Sequence, residues 1–321
     1  MLDEERQRPI LIFVDWDSTL TTASTLTLIT SIQSWPNQHP NIKAISEAYV
    51  QDMQMHEAEC PIPAAQRPSL EQESTYLESL TAVEAASLKR IEDAGMFRDV
   101  DQDMITKAAR DCISEDKVSL RRGWTILVTT KAKTGKFGID GKTHIISVAW
   151  SEDFIASCLE HSVSKEGELD PTHVLASVQD DVTVHANTID GTHGRIVGSA
   201  RQHGRLILTA KDKYDVMRQV ISEDTRFSSP DPPMTFYIGD SVTDLICLLN
   251  VDVGVCIRDT PMTKEQEQLK GTLQRLGVEV RPMYTLLGSL DQGWERGKVV
   301  WFARDFMEIM LSGVLDPSWL L

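Results

Sequence analysis

The chain has 321 residues, of which 32 are lysine or arginine and 48 are aspartate or glutamate, so its formal net charge is −16 at pH 7. This length fits one enlarged α/β domain or a core domain combined with a smaller one. The acidic balance argues against nucleic acid and anionic membranes as partners, because the average field of the protein repels both. With 41% hydrophobic and 25% charged residues, the composition is that of a soluble globular protein.

The amino terminus and the cysteines indicate the compartment. Residues 1–9 lack the apolar stretch of a signal peptide, and no window approaches the roughly 18 apolar residues that span a bilayer. We therefore expect a cytoplasmic protein. The five cysteines form no C-x-x-C pair, which predicts burial rather than a disulfide framework or a zinc site.

The first predicted element is a buried strand. Residues 10–14 form a short apolar run that ends directly at Asp15, a pattern typical of a strand covered on both faces. We expect Asp15 at the carboxyl end of this strand.

A long helical segment follows the first strand. Residues 20–120 contain no convincing buried strand, and their helix-like stretches lie at 42–59, 69–94 and 101–113. We predict that this segment is a helical cap inserted after the first strand. Residues 1–19 and 121–321 would then form the core.

Strands and helices alternate in the rest of the chain. Further apolar runs predict strands at 143–146, 235–238 and 251–257. Helical patterns lie among them, at 153–160, 214–221 and 242–249. This alternation predicts an α/β fold with a doubly wound parallel sheet. In such a sheet the ligand crevice lies beyond the carboxyl ends of the strands, where Asp15, Ser147 and Asp240 stand.

Two further segments have local patterns. Residues 187–194 are typical of a turn between two strands of a small antiparallel excursion. Residues 301–310 have helical periodicity, which predicts a helix packed on the core.

Two carboxylates, Asp15 and Asp17, follow the first predicted strand. At a strand end such a pair can divide labour, because one carboxylate attacks as a nucleophile while the other exchanges a proton with the leaving group. Surface loops also carry D-x-D by chance, so the pair alone leaves a purely structural role open.

A second acidic motif follows the run at 235–238. Gly239 permits a tight turn, and Asp240 and Asp244 are four residues apart. If a helix begins here, both carboxylates lie on one face of its first turn. Their hard oxygen ligands suit Mg²⁺, which also binds waters and a phosphate oxygen. The alternative is structural, with Asp240 as a helix cap and Asp244 favoured by the helix dipole.

Ser147 and Lys213 complete a candidate phosphate-handling set. Ser147 follows the run at 143–146, where its hydroxyl can donate to a phosphate oxygen or serve only in a turn. Lys213 lies near the start of a predicted helix, where a positive charge opposes the helix dipole and therefore suggests another purpose, such as neutralising a phosphoryl group. Lys211 is a competing candidate.

Other chemistry-bearing residues have less specific patterns. Trp16 and Trp150 flank predicted site residues, and core packing is favoured over stacking on an aromatic substrate. His185, His193 and His203 lack the spacing of a metal motif, which favours surface or hydrogen-bonded roles.

In chain order these residues resemble the four motifs of the haloacid dehalogenase superfamily, in its phosphatase branch: Asp15-x-Asp17-x-Thr19, Ser147, Lys213 and Gly239-Asp240-x-x-x-Asp244. Closer still, residues 237–249 and the Ser147-x-x-Trp150-Ser151 stretch resemble the phosphatase domain of plant and fungal proteins related to thiamin monophosphate phosphatases.

The resemblance implies a role for each residue. Asp15 would become phosphorylated as the nucleophile, and Asp17 would act as general acid and base while its backbone carbonyl reaches Mg²⁺. The implied phosphate-binding residues are Thr19, which would steady the loop, Ser147 and Lys213. The implied metal-site residues are Asp15, Asp17, Asp240 and Asp244, the last as a ligand or a support.

These features together predict a Mg²⁺-dependent phosphomonoesterase that acts on a small phosphorylated metabolite through a phosphoaspartate intermediate. Thiamin monophosphate or a similar ester is a candidate substrate. Because a lid encloses the leaving group, we expect substrate identity to depend chiefly on residues 20–120. Two alternatives stay open: a non-hydrolytic binding or scaffold protein with the same fold, and a phosphomutase.

Overall fold

A computed structural model of the chain describes residues 10–32, 42–125, 142–163, 171–230, 232–290 and 294–313. The amino-terminal segment 1–9 lies outside the described residues, as does the lysine-rich run at 131–136.

The strands within these ranges are β1 (Ile10–Val14), β2 (Thr143–Ile146), β3 (Val182–His185), β4 (Asn187–Asp190), β5 (Arg195–Gly198), β6 (Met234–Gly239), β7 (Val253–Ile257), β8 (Glu279–Pro282) and β9 (Val299–Ala303). The α-helices are α1 (Leu26–Ile29), α2 (Ile42–Glu59), α3 (Leu70–Ser79), α4 (Thr81–Asp93), α5 (Gln102–Ser114), α6 (Glu152–Ser162), α7 (Pro171–Asp181), α8 (Ala210–Glu223), α9 (Leu245–Leu249), α10 (Lys264–Arg275), α11 (Leu286–Leu290) and α12 (Phe306–Leu311). None of these helices combines the length and the apolar character that crossing a bilayer requires.

The core of the fold is a parallel sheet with the strand order β3, β2, β1, β6, β7, β9, β8. β1 lies between β2 and β6, with Val14 opposite Ile145 on one side and Ile238 on the other. The four strands that the apolar runs predict are the adjacent strands β2, β1, β6 and β7. The predicted parallel sheet is therefore confirmed.

Helices cover both faces of this sheet. Along β1, Ile10, Ile12 and Val14 belong to one apolar cluster, while Leu11 and Phe13 belong to another. Helices α6 and α12 contribute side chains to the first cluster, and α8, α9 and α10 contribute to the second. A strand covered on both faces is apolar at every position, which is why continuous runs reveal the central strands.

Three strands of the sheet escape the sequence prediction. β3 and β8 are half-exposed edge strands and lack a continuous apolar run. The helix predicted over 301–310 is wrong, because β9 occupies its first part and α12 begins only at Phe306, capped by Asp305. The apolar residues of a buried strand, a turn and a short helix happen to follow one another at helical spacing.

The segment between β1 and β2 leaves the core and returns to it at neighbouring points. The backbone N–H of Thr22 donates to the carbonyl of Ser119 at 2.9 Å, and the N–H of Arg121 donates to the carbonyl of Leu20 at 2.8 Å. The two ends of the segment are thus joined by backbone hydrogen bonds.

Helices α2 to α5 lie within this segment, as predicted. The stretch predicted over 69–94 is divided into α3 and α4 at Leu80, and α5 is capped by Asp101. α2 packs against α4, whereas α5 packs against the core helix α6. The boundaries of a separate cap stay a prediction.

The antiparallel excursion predicted at 187–194 is the hairpin of β4 and β5. Its turn contacts the connection between α4 and α5, where the N–H of Asp99 donates to the carbonyl of Gly191 at 2.8 Å. A Cβ on Gly191 would lie 1.9 Å from the carbonyl oxygen of Val100. Only glycine fits at this contact between the helical segment and the core.

We expect Gly191→Ala to lower the free energy of unfolding by about 1–3 kcal/mol, because the added methyl group displaces backbone at Val100. Gly271→Ala is the matched control, since Gly271 lies in α10 with open space around its Cβ position. The control should gain about 0.5–1 kcal/mol. Urea denaturation of both variants measures the difference, and equal stabilities would contradict the close approach of Gly191 to Val100.

Candidate active site

The chain turns sharply after β1, at the carboxyl edge of the sheet. Residues Trp16–Leu20 form a π-type turn in which Ser18 has a φ of 58°. Trp16 is fully buried, and its indole N–H donates to Thr25 Oγ1 at 3.1 Å. The predicted core packing of Trp16 is confirmed, and its side chain anchors the turn.

Arg121 holds this turn from the returning end of the helical segment. Its buried guanidinium donates to the carbonyls of Ser18 at 2.8 Å and Thr19 at 3.0 Å. It also forms an ion pair of 2.7 Å with Asp259, which follows β7. Sequence reasoning misses Arg121, because no motif marks it and its partners are backbone oxygens.

Asp240 and Asp244 follow β6, the neighbour of β1. Asp244 ends the 3₁₀ turn Val242–Asp244, which leads directly into α9. A Cβ on Gly239 would lie 2.4 Å from Asp244 Cγ, so glycine is needed here for space. Glycine is thus required at position 239 because the side chain of Asp244 packs against it.

Donors surround the carboxylate of Asp244. Its Oδ1 accepts hydrogen bonds from Lys213 Nζ and Tyr237 Oη, both at 2.8 Å. Its Oδ2 accepts from the backbone N–H groups of Asp240 and Ser241, both at 3.1 Å. Sequence reasoning misses Tyr237, because its hydroxyl is hidden within the apolar run of β6.

Lys213 joins the two acidic motifs. Its Nζ lies 2.6 Å from Asp15 Oδ1 and 2.8 Å from Asp244 Oδ1, and the whole side chain is buried. α8 begins with a capping box of Thr209 and Asp212, which fixes Lys213 in the first turn of the helix.

The competing candidate Lys211 lies elsewhere. Its Nζ pairs with Asp215 at 2.6 Å on the same helix, and about a third of its side chain is exposed. Of the two lysines, it is Lys213 that contacts the predicted nucleophile.

The site carries more acid than base. One carboxylate oxygen each from Asp15, Asp240 and Asp244 lies within 4.8 Å of the others. Burial raises the pKa of Asp15 well above its usual value, although Lys213 opposes this. Burial, followed by the charge of Asp244, raises the pKa of Asp240 to about 7. The carboxylates are thus not fully compensated by the single lysine.

This donor set fits a hard divalent cation. Asp240 accepts one hydrogen bond, from Thr19 Oγ1 to Oδ1 at 3.1 Å, and no described residue donates to its Oδ2. In contrast, both carboxylate oxygens of Asp244 accept hydrogen bonds from protein groups. Asp15 and Asp240 are therefore the carboxylates most available to a cation, which would also supply the missing positive charge.

Asp17 lies at the same edge, with its carboxylate turned toward another partner. Its Oδ1 accepts hydrogen bonds from the N–H of Thr25 at 2.5 Å and from Thr25 Oγ1 at 2.8 Å. Burial raises the pKa of Asp17, although these hydrogen bonds lower it. Thr25 is a further residue that sequence reasoning misses, since it lies beyond the motif.

The two hydroxyl residues of the predicted phosphate-binding set have different surroundings. Ser147 follows β2, lines the same cavity as Asp15, and its Oγ accepts from the N–H of Ala149 at 3.1 Å. The hydroxyl of Thr19 donates to Asp240 instead. A direct contact of Thr19 with phosphate stays a prediction.

A cavity of about 730 Å³ connects these residues with the helical segment. On the sheet side it is lined by Asp15, Asp17, Ser147, Lys213 and Asp240. Side chains of α2 and α4 line it on the opposite side, together with Trp150, which packs edge-on against Phe97. Trp150 thus lines the cavity as well as packing on the core.

The three histidines considered in the sequence, His185, His193 and His203, take no part in this cluster. His185 is buried, and its Nε2 and Nδ1 share hydrogen bonds with His144 at 2.9 Å and with Gln202 at 2.8 Å. His193 pairs with Asp190, and His203 is exposed. Surface or hydrogen-bonded roles are thus confirmed for the histidines predicted to have them.

Together, the strand order, the aspartate after β1, the buried lysine of α8 and the aspartates after β6 define the class: a protein with the haloacid dehalogenase fold and its characteristic arrangement of motifs.

Comparisons with known proteins give relatives of low sequence identity. No family model matches the chain. A CTO1 family protein of Schizosaccharomyces pombe is 28% identical over 263 residues, which cover 78% of this chain and 82% of that protein. The mitochondrial bifunctional TH2 protein of Arabidopsis thaliana is 22% identical over 209 residues, which cover 65% of this chain and 29% of the plant protein.

Among solved structures, cytosolic 5′-nucleotidase IIIB bound to cytidine is similar with a TM-score of 0.49 and 13% identity, over 98% of this chain and 86% of that one. In its strand order and in the placement of its motifs, the chain has the fold of the haloacid dehalogenase superfamily and resembles its phosphatase branch.

We expect Tyr237→Phe to cost about 1.5–3 kcal/mol of unfolding free energy, because a buried carboxylate loses a hydrogen bond. Tyr214→Phe is the matched control, since the Tyr214 hydroxyl lies 3.5 Å from Asn250 Oδ1, at the limit of a hydrogen bond. The control should stay within about 0.5 kcal/mol of the parent protein. Urea denaturation measures both, and equal losses would contradict a specific role for the Tyr237 hydroxyl.

The buried histidine pair should make the fold sensitive to acid. Burial lowers the pKa of His144 to about 3 and that of His185 to about 4. Unfolded histidines bind protons below about pH 6.5, whereas these two stay neutral in the folded state, so stability falls as the pH drops from 6.5 toward 4. Between pH 7 and 5 the expected loss is about 2 kcal/mol for each histidine.

Urea denaturation at pH 7 and 5 measures this loss. The double variant His144→Gln/His185→Gln should show a weaker pH dependence than the parent protein. The exposed His193 provides the control, because His193→Gln should keep the parental dependence. A parental pH dependence in the double variant would argue against the buried pair as its origin.

Proposed function

We propose that this chain is a Mg²⁺-dependent phosphomonoesterase that acts on a small phosphorylated metabolite through a phosphoaspartate intermediate. The observation that carries the proposal is the buried contact of Lys213 with Asp15, beside the carboxylates of Asp240 and Asp244 and at one end of the cavity. This arrangement provides a nucleophile, a positive charge and a cation site within one small volume.

Asp15 is the proposed nucleophile. It is buried at the end of β1, and Lys213 stabilises its ionised form, the form that attacks phosphorus. Burial and the neighbouring carboxylates oppose that ionisation, so Lys213 alone is a weak counter-charge for the cluster. The residues that would hold Mg²⁺ are Asp15, Asp240 and the backbone carbonyl of Asp17. When bound, the ion supplies charge neutralisation for the phosphoryl group.

Asp17 is the proposed general acid and base. Its raised pKa favours the protonated form that can give a proton to the departing alkoxide, and the ionised form then accepts a proton from the water that hydrolyses the phosphoaspartate. The hydrogen bonds from Thr25 hold the carboxylate in place for both steps. Asp17 therefore needs no contact with Lys213 to perform them.

Lys213 and Ser147 are the proposed contacts of the transferring phosphoryl group. Asp244 fixes Lys213, and both of its carboxylate oxygens accept hydrogen bonds from protein groups. We therefore assign Asp244 to the support of Lys213 rather than to the metal. Thr19 is assigned a similar positioning role, because its hydroxyl orients Asp240. The phosphoryl oxygens would thus meet a lysine and a hydroxyl whose positions are set before binding.

Thiamin monophosphate or a similar ester is the proposed substrate candidate. The motif resemblance to plant and fungal proteins related to thiamin monophosphate phosphatases supports it, and the cavity of about 730 Å³ leaves room for a leaving group of that size. The helical segment above the site would exclude water from the reaction.

Release of inorganic phosphate tests the proposal. The purified protein with Mg²⁺ should hydrolyse p-nitrophenyl phosphate, and EDTA should abolish the reaction. Asp15→Asn should lower kcat/KM by about 10³-fold or more, because the nucleophile is lost. Lys213→Met should lower it by about 10²–10³-fold.

Two variants on α8 serve as controls for these changes. Asp215→Asn and Lys211→Met alter an ion pair outside the cavity and should keep the parental activity. The absence of phosphate release from a broad panel of monoesters, including thiamin monophosphate, would refute the proposal. A phosphorylated product in place of free phosphate would identify a phosphomutase.

A further inference from the structure

The wall of the cavity that faces the catalytic edge is mostly apolar. Ile45 of α2, Leu88 and Ile91 of α4, and Trp150 contribute to it. A leaving group in this part of the cavity would exchange water for hydrocarbon and aromatic surface. The wall therefore favours an ester whose alcohol is itself largely apolar.

A hydrogen-bonded polar pair lies within this wall, which also contains the hydroxyl groups of Ser46 and Ser87. The hydroxyl of Tyr49 on α2 donates to Glu84 Oε1 on α4 at 2.7 Å, and both side chains line the cavity. Both are partly buried, so their polar atoms have limited access to water. A partly buried carboxylate whose hydrogen bond comes from a neutral hydroxyl gains no counter-charge from that bond.

The charges around the cavity are unequal. Among the described residues that line it, Lys213 is the basic side chain, and it is already engaged by Asp15 and Asp244. On the wall formed by α2 and α4, Glu84 is acidic, and the cavity lining also includes the acidic Glu265 of α10. A carboxylate or second phosphate on the leaving group would therefore meet negative charge without a basic partner.

We propose that Tyr49 and Glu84 are the specificity-determining pair of this site, and that they select esters of an apolar alcohol whose far end is cationic or donates a hydrogen bond. The same pair disfavours esters with an anionic far end. This inference rests on the proposed phosphomonoesterase function, since it assumes that the phosphate lies at Lys213.

The state of Glu84 agrees with this assignment. Burial raises the pKa of Glu84, against the opposing effect of the Tyr49 hydrogen bond. A cationic group beside Glu84 would offset the cost of burying the carboxylate, because an opposite charge favours the ionised form. Selectivity would thus come from the negative charge of Glu84, whose burial in this wall costs free energy in the absence of a cationic partner.

Three aromatic phosphates that differ only at their far end provide the test. They are the phosphate esters of tyramine, of 4-propylphenol and of 3-(4-hydroxyphenyl)propionic acid, which end in an ammonium, a methyl and a carboxylate group. With Mg²⁺ present, kcat/KM should be highest for the ammonium ester and lowest for the carboxylate ester. An equal or faster reaction of the carboxylate ester would overturn the proposal.

The variants Glu84→Gln and Tyr49→Phe assign the selectivity to the pair. Glu84→Gln should reduce the preference for the ammonium ester over the neutral ester by about 10-fold, while the rate for the neutral ester changes less than about twofold. Tyr49→Phe should weaken the preference in the same direction but less, because the carboxylate stays. A uniform loss for all three esters in Glu84→Gln would mean that Glu84 acts only in packing and would overturn the proposal.

Asp52→Asn is the matched control. Asp52 pairs with Arg90 between the same two helices, but it does not line the cavity. This variant should keep the parental order of the three esters even if it loosens α2 from α4. Loss of the order in Asp52→Asn would place the selectivity in helix packing rather than in Glu84.

Binding to Asp15→Asn separates this inference from the proposed function. Calorimetric titration of the three esters, with Mg²⁺, measures selectivity without turnover. If the parent protein hydrolyses none of the esters while Asp15→Asn still binds the ammonium ester most tightly, the proposed activity fails and the selectivity stands. Equal affinities for the three esters, or no binding, would overturn the assignment of Tyr49 and Glu84.

Discussion

The buried contact of Lys213 with Asp15 and Asp244 is the interaction on which the rest of the site depends. Each of these charges would be costly to bury alone, and removal of one partner of a buried pair typically costs about 3–5 kcal/mol. Their elements are distant in sequence, since Asp15 follows β1, Lys213 opens α8 and Asp244 follows β6. Only a sheet in which β1 and β6 are neighbours brings the three together. The fold is therefore a condition for the charge cluster, and the cluster in turn holds the strand ends in register.

The turn after β1 and the helical segment are mechanically linked through one side chain. Arg121 belongs to the point where the segment returns to the core, yet its guanidinium holds the backbone of Ser18 and Thr19. Its ion-pair partner Asp259 is held in turn by Gln266 of α10, whose Nε2 donates to Asp259 Oδ2 at 2.8 Å. A displacement of the helical segment at this point would thus also strain the turn that directly follows the predicted nucleophile, Asp15.

The sequence reveals those parts of the fold and site whose signals are local. β1 and β7 are buried on both faces and have continuous apolar runs, whereas the half-exposed edge strands β3 and β8 have no such run. Asp15 is detectable because it stands directly after such a run, and Asp240 because only Gly239 separates it from the run at 235–238. Tyr237 and Arg121 are not, because a hydroxyl within an apolar strand and an arginine outside any motif gain their roles only from contacts made across the fold.

The net charge of −16 would repel a phosphate dianion on average. The charges that line the cavity indicate how such a substrate could bind nevertheless. At the phosphoryl end, Lys213 and a cation beside Asp15 and Asp240 would offset the charge locally. At the opposite end, Glu84 has no basic neighbour among the described lining residues. A phosphate ester with a cationic far end would find an opposite charge at each end of the cavity, whereas the reversed orientation would place like charges together. The acidic surroundings would then orient the substrate as well as select it.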